Sequence, residues 1–148
     1  MSSKFFLVTG GSGYIAIHVI NQLVRRGYRV RTSVRNPKNN KKVEPIRNLN
    51  KYAKYPIEVV QADLLDARSW IPALQEITHV IHVASPLLLH EPINEDLEYI
   101  QPAVQGTLNI LHACAEPGST VERVVITSSG ENQLHGQCRN FSEVRGVA

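Results

Sequence analysis

The chain has 148 residues, a net charge of +3 and 43% hydrophobic content, which fits one globular domain with a real core and excludes a disordered chain. No apolar run approaches the roughly 20 residues that span a bilayer, no basic segment followed by a long apolar one opens the chain, and two cysteines, Cys114 and Cys138, make no disulfide framework. The expectation is a cytoplasmic protein with no membrane partner; its mild charge, dispersed apart from one basic cluster, does not by itself imply nucleic acid, and no nucleic-acid partner is expected.

Phe5-Phe6-Leu7-Val8 is an unbroken apolar run, as in a strand covered on both faces. Gly10, Gly11 and Gly13 follow as a tight turn. Ile15, Val19, Ile20, Leu23 and Val24 then fall at helical spacing, with Arg25 and Arg26 in the last turn and Gly27 as the stop. His18 lies on this helix with no second ligand at helical spacing and reads as structural. Tyr28 to Val34 is a second strand, so strand, helix and strand occupy about 30 residues, the size of a βαβ unit. Glycines between apolar runs mark an ordinary turn first. Here the turn also faces a helix N-terminus, whose free N–H groups and partial positive charge suit a pyrophosphate.

Asn36 to Lys42 is a polar loop, and a helix is expected from about Val43 to Tyr52 with Pro45 in its first turn. Ile57 to Gln61 predicts a third strand, Asp63 to Asp66 a turn, Ser69 to Leu74 a helix and His79 to Ala84 a fourth strand. His79 and His82 are three apart on a strand, so they face opposite ways and cannot chelate one metal. After Ser85-Pro86 comes a leucine-rich loop to about Ile93. A long helix is expected from Glu95 to Ala115, with Leu97, Ile100, Val104, Leu108 and Leu111 as its buried stripe. Pro102 should kink that helix or mark its true first turn, and Cys114 reads as a small core residue. Val121 to Ser128 is the fifth strand.

Alternating short strands and helices imply an α/β doubly wound parallel sheet, and right-handed crossovers order it 3-2-1-4-5. The fifth strand is then an edge. Its consecutive Val124, Val125 and Ile126 want burial on both faces, so self-association through this edge is expected. Residues 1–129 are read as the domain. Gly130 to Ala148 has neither helical nor strand period and is read as an irregular polar tail.

A dinucleotide site of this type meets the adenosine ribose at the end of the second strand, where Asp or Glu would select NAD. This chain has Val34 and then Arg35. Arg35 can stack on adenine and grip a 2′-phosphate with its planar fork, and Lys38, Lys41 and Lys42 add positive charge, although any one of these lysines alone reads as a solvated loop residue. The missing acid and the present cation agree on NADP(H) over NAD(H).

Six segments occur in a characteristic order: Val8-Thr9-Gly10-Gly11-Ser12-Gly13-Tyr14-Ile15, Val34-Arg35-Asn36-Pro37, Asp63-Leu64-Leu65-Asp66, His82-Val83-Ala84-Ser85-Pro86, Pro102-Ala103-Val104-Gln105-Gly106-Thr107-Leu108-Asn109 and Thr127-Ser128-Ser129. Together they resemble the N-terminal half of an extended short-chain dehydrogenase/reductase of the NAD-dependent epimerase/dehydratase superfamily. Within it the chain is most similar to the dihydroflavonol, anthocyanidin and cinnamoyl-CoA reductases. The resemblance implies that Gly10, Gly13, Tyr14 and Ile15 line the pyrophosphate, and that Arg35, helped by Lys42, holds the 2′-phosphate. Asp63 and Leu64 would border adenine, while Val83, Ala84 and Ser85 would flank the nicotinamide-side ribose. Ser129 matches the catalytic serine, and Ala16 replaces a third glycine. The reaction implied moves hydride between NADP(H) and a small-molecule carbonyl or secondary alcohol.

One departure weighs against turnover. The family's general acid–base is a Tyr followed four residues later by Lys. Here the residues four after Tyr14, Tyr28, Tyr52, Tyr55 and Tyr99 are His18, Thr32, Pro56, Val59 and Ala103, and no Tyr follows Ser129. Two readings stand: a truncated form of an NADP-dependent reductase, or a non-catalytic NADP-binding module acting as sensor or decoy.

Overall fold

In the computed structural model, which describes residues 4–85, 94 and 96–128, five short strands form one parallel sheet in the order β3-β2-β1-β4-β5. The strands are β1 Phe5–Val8, β2 Arg29–Val34, β3 Glu58–Gln61, β4 His79–His82 and β5 Arg123–Ile126. The helices are α1 Tyr14–Arg25, α2 Asn40–Asn48, α3 Trp70–Ala73 and α4 Gln101–Ala115. Helices α1 and α2 cover one face and α3 and α4 the other. The period of two within β1 explains its unbroken apolar run: Phe5 and Leu7 point into a core with Trp70, Ile77, Val80 and Ile110. Val8 points the opposite way, into a core with Ile20, Val24, Val30, Val43 and Ile46. Helix α1 stops where Gly27 takes φ +79°, a conformation that suits a residue without Cβ.

Several boundaries differ from the sequence expectations. Helix α2 begins at Asn40, because the Asn39 side chain accepts the Lys42 N–H and caps it three residues early. Pro45 therefore lies inside the helix rather than in its first turn, and residues Leu49–Tyr52 continue as a 3-10 turn. Strands β4 and β5 are shorter than expected. Pro102 sits in the first turn of α4, after a π-helical turn at Asp96–Ile100.

The larger correction concerns which face of α4 is buried. Leu97, Ile100, Val104 and Leu108 are exposed, by 41–59%. The buried residues are Gly106, Asn109, Ile110 and Ala113. Close approach decides this. A Cβ on Gly106 would lie 2.9 Å from Leu64 Cβ, so the helix presses its small-residue face onto the turn after β3. Strand β5 is the sheet edge, as expected, and its apolar residues are incompletely covered, with Val125 50% and Ile126 38% exposed.

Ser129, residues 86–93 expected as a leucine-rich loop, Glu95 at the expected start of the long helix, and the expected polar tail from Gly130 to Ala148 lie outside the described residues. No described helix is long and apolar enough to cross a membrane.

Candidate functional site

A parallel sheet brings the C-terminal ends of all its strands to one edge. Here that edge collects Gly10 and Gly13 after β1, Arg35 after β2, Asp63 and Leu64 after β3, and Val83, Ala84 and Ser85 after β4. The chain leaves β1 toward β2 on one side, and β4 lies on the other. A crevice opens at such a reversal, the usual ligand position in a doubly wound sheet.

The glycine turn is held from below by β2. Gly10 donates its N–H to Ser33 Oγ at 3.2 Å, and Gly11 donates to the Ser33 carbonyl at 2.8 Å. Gly10 takes φ +69°. A Cβ on Gly11 would overlap Thr32 Oγ1, whose hydroxyl donates to the Val8 carbonyl at 2.7 Å. Gly13 is different. Its φ is −81°, which any residue adopts, and a Cβ there would meet only the Gly10 carbonyl oxygen, at 3.2 Å. Its backbone does not demand glycine, and a Cβ would require the Gly10 carbonyl to give by only a few tenths of an ångström; apart from that atom the missing side chain leaves open space.

Helix α1 starts at this turn with no side-chain cap and no acidic residue in its first turn. Its first N–H groups are therefore open to an external anion. Tyr14 is 81% exposed and Ile15 is also exposed, flanking that end, while Ala16 is fully buried against the core and packs where the resemblance has a third glycine. The open helix end and the cleared space at Gly13 fit a pyrophosphate.

The arginines of β2 divide by partner. Arg31 donates to Glu58 Oε2 at 2.8 Å from Nε and 2.6 Å from Nη2, and to the Ala73 and Gln75 carbonyls. Arg29 reaches the same carboxylate at 3.3 Å. Arg35, past the strand end, is exposed and meets no carboxylate among the described residues. Lys42 is also exposed, on the first turn of α2. These two cations remain available to a phosphate.

On the far side of β2, the Asp63 carboxylate closes an Asx turn by accepting the Leu65 N–H at 2.9 Å. Asn109, unnoticed as a single residue in the sequence, donates to the Leu64 carbonyl at 2.8 Å and accepts from Gln105 at 2.8 Å. Beyond β4, the N–H groups of Val83 and Ala84 both donate to Thr9 Oγ1, at 3.0 Å each. Thr9 lies 2.8 Å from His82 Nδ1. Burial lowers the His82 pKa to about 4, so the ring is neutral near pH 7. Burial likewise raises the Cys114 thiol to about 11, which agrees with a core residue and not a nucleophile. Among the described residues no group of His, Cys, Asp and Glu could hold a metal.

Sequence reasoning missed Thr9, Ser33 and Asn109. Thr9 and Asn109 lay inside quoted motifs. For Ser33, a small polar residue at the buried end of β2, two residues before Arg35, was the one signal available.

The family model for GDP-mannose 4,6-dehydratase matches residues 7–142. The chain is 38% identical over 124 residues to tetraketide alpha-pyrone reductase 2 of Arabidopsis thaliana, covering 84% of this chain and 38% of that protein. It is 40% identical over 123 residues to dihydroflavonol 4-reductase of Hordeum vulgare, covering 83% and 34% respectively. Among solved structures it resembles Gre2 of Candida albicans in complex with NADPH, with a TM-score of 0.73 at 32% identity, covering 85% of this chain and 37% of that one. The chain thus spans a little over a third of the length of these proteins.

Proposed function

Because the chain belongs to the extended short-chain dehydrogenase/reductases, in the branch of the dihydroflavonol, anthocyanidin and cinnamoyl-CoA reductases, we propose that it forms the cofactor-binding half of an NADP(H)-dependent oxidoreductase. The class of substrate is a small-molecule carbonyl or secondary alcohol. The observation that carries the cofactor is Arg35, an exposed cation with no described carboxylate partner, beside a glycine turn that leaves the α1 N-terminus uncapped. NADPH in the complex of a 32% identical relative supports the same reading.

When bound, the cofactor supplies hydride at its nicotinamide ring. The residues of the chain bind and orient it. The first-turn amides of Tyr14 and Ile15 take the pyrophosphate, which Gly10 and Gly13 line, the Gly13 N–H itself being bonded to the Gly10 carbonyl at 2.8 Å; Arg35 and Lys42 take the 2′-phosphate; Asp63 and Leu64 border adenine. Val83, Ala84 and Ser85 flank the nicotinamide-side ribose, and Ser129 hydrogen-bonds the substrate oxygen. No Tyr-x-x-x-Lys occurs in the 148 residues, so proton transfer to the substrate is assigned to none of them. That observation favours a second reading for the chain by itself, an NADP-binding module without turnover. The reducing setting implied by its cysteine usage makes the cytoplasm the proposed location. The β5 edge, unpaired among the described residues, supports self-association of the isolated chain, which light scattering at rising concentration would register as growing mass; a constant monomer mass would exclude it.

Calorimetric titration of the 148-residue chain with NADPH tests the cofactor reading, with saturable binding expected. A panel of aldehydes and ketones with NADPH separates the two catalytic readings. Cofactor oxidation abolished by Ser129→Ala would mean that the chain turns over without the missing pair, and no oxidation would leave the binding module.

A further inference from the structure

We propose that Arg25, Arg26, Lys51 and Lys54, with Tyr52 and Tyr55, form a docking surface for an acidic peptide segment of a partner protein, at the sheet edge opposite the dinucleotide crevice. The surface shares no residue with the NADP(H) site and stands apart from that reading.

The charge of the chain is unevenly spread. Eleven of its 16 Lys and Arg residues lie between Arg25 and Lys54, a stretch with a single acid, Glu44. Two of the eleven, Arg29 and Arg31, are held by Glu58, and Arg35 and Lys42 stand at the crevice. Arg25, Arg26, Lys51 and Lys54 are exposed and pair with no carboxylate among the described residues. Topology brings them together. Helix α1 starts at the crevice edge and ends at Arg25, just before β2 begins, and the turn Leu49–Tyr52 follows α2 and leads toward the start of β3. Both segments therefore end at the opposite edge, where the Arg25 guanidinium sits 3.9 Å from the centre of the Tyr52 ring.

The arginines are oriented without being neutralised. Arg25 Nε donates to Asn21 Oδ1 at 2.9 Å, and Arg26 Nη1 donates to Gln22 Oε1 at 3.4 Å. Both partners are uncharged, so each guanidinium is steadied while its charge and its other N–H groups stay unspent. Lys51 Nζ lies 4.9 Å from the centre of the Tyr52 ring, and Lys54 Nζ 5.3 Å from that of Tyr55. Side chains already held in place lose less entropy on binding, and arginine with tyrosine is the composition of binding hot spots.

Chemistry selects the partner. A nucleic acid would stack its bases on open aromatic faces, but the Tyr52 ring already carries Arg25 and Lys51, and the Tyr55 ring carries Lys54. A lipid surface would take up aliphatic side chains, and from residue 21 to 57 the only large apolar residues exposed are those two tyrosines. The surface offers guanidinium and ammonium N–H groups and two phenol hydroxyls, all of them suited to carboxylates. A run of Glu or Asp side chains supplies carboxylates at peptide spacing.

The probe is a fluorescein-labelled peptide of about eight glutamates, titrated with the chain and followed by anisotropy at about 0.05 M salt, where surface charges are weakly screened. Wild type is expected to bind it saturably. Arg25→Gln with Lys51→Gln should weaken binding about tenfold. Lys38→Gln with Lys41→Gln removes the same charge near the crevice and should leave binding within about twofold of wild type. Equal loss in the two double variants would reduce the effect to net charge and overturn the surface, as would wild type that does not bind the peptide. An oligouridylate of equal charge and phosphatidylserine vesicles are expected to bind more weakly than the peptide, and tighter binding of either would overturn the choice of an acidic peptide. If Arg25→Gln with Lys51→Gln melts earlier than wild type, Lys51→Gln with Lys54→Gln leaves the Arg25 contacts in place and gives the same comparison.

Discussion

Asn109 Nδ2 donates to the Leu64 carbonyl oxygen at 2.8 Å, tying α4 to the turn after β3 that carries Asp63 and Leu64. Asn109 is 7% exposed, so water cannot readily replace this bond. Asn109→Leu keeps the volume and leaves the carbonyl without its donor, a loss worth about 1–3 kcal/mol. Urea unfolding should show a lower midpoint of that size at unchanged slope. A midpoint equal to wild type would mean that the turn is held by Gly106 packing alone.

The glycines of the turn should separate folding from binding. Gly11→Ala drives a Cβ into Thr32 Oγ1, beneath the turn, and is expected to destabilise by more than about 2 kcal/mol, as overpacking of a closed site does. Gly13→Ala meets only the Gly10 carbonyl, at 3.2 Å, and should fold with a Tm within a few degrees of wild type. Its methyl group occupies the space left for the pyrophosphate, so NADPH affinity should fall roughly tenfold, about 1.4 kcal/mol. Thermal melts and titrations of both variants check this, and Gly13→Ala binding like wild type would count against the turn as the phosphate site.

His82 gives the fold an acid-sensitive element. Burial holds its pKa near 4 in the folded state, below the ordinary 6.5. Between these values the unfolded chain binds the extra proton, so stability rises with pH through the window. The contribution is fully present above about pH 6.5, is lost progressively as pH falls toward 4, and amounts to about 3 kcal/mol. His82→Asn cannot titrate. Carboxylates titrate in both proteins, so the difference in unfolding free energy between wild type and His82→Asn at pH 7.5, 5.5 and 4.5 isolates the imidazole. A difference independent of pH would contradict the buried, neutral ring.

The parts of the fold legible in the sequence were those with a local signal. Helix α1 could be drawn because its apolar spacing, basic last turn and Gly27 all lie within one short segment, and the strand order followed from chain order and crossover handedness. The buried face of α4 was not legible. Hydrophobic periodicity selects the largest apolar residues, whereas Gly106 and Asn109 bury because of what Leu64 presents 42 and 45 positions away. The supports of the site share this property. Ser33 acts on Gly10 across 23 positions, and Thr9 on Val83 across 74. A lone serine or threonine in a strand carries no period to reveal it, so candidate ligand-facing residues could be proposed from the motifs while the residues that hold their segments could not.

Arg35 should set the cofactor preference. Three arginines belong to β2 or its exit, and the carboxylate that could have neutralised them lies toward the start of the pairing: Arg31 stands opposite Glu58 in the register, and Val34 stands opposite Gln61. Arg29 and Arg31 share Glu58. Arg35 emerges beyond the last pair with its charge unspent, and no acid ends β2 to accept from a ribose hydroxyl. A 2′-phosphate gives Arg35 a partner that NADH lacks. A hydrogen bond to a charged group contributes about 1.5–3 kcal/mol, so NADPH should bind roughly 10- to 150-fold more tightly than NADH. Arg35→Ala should erase most of that ratio by weakening NADPH and leaving NADH nearly unchanged. Arg35→Lys should keep part of it, since the charge remains and the planar fork is lost. Lys42→Ala should cost less, because its flexible stem is a solvated point charge. The preference should shrink as salt is raised, since these cations are exposed and screened. Calorimetric titration of each protein with both cofactors at low and high ionic strength measures all of this, and equal affinity of wild type for NADPH and NADH would refute the role of Arg35.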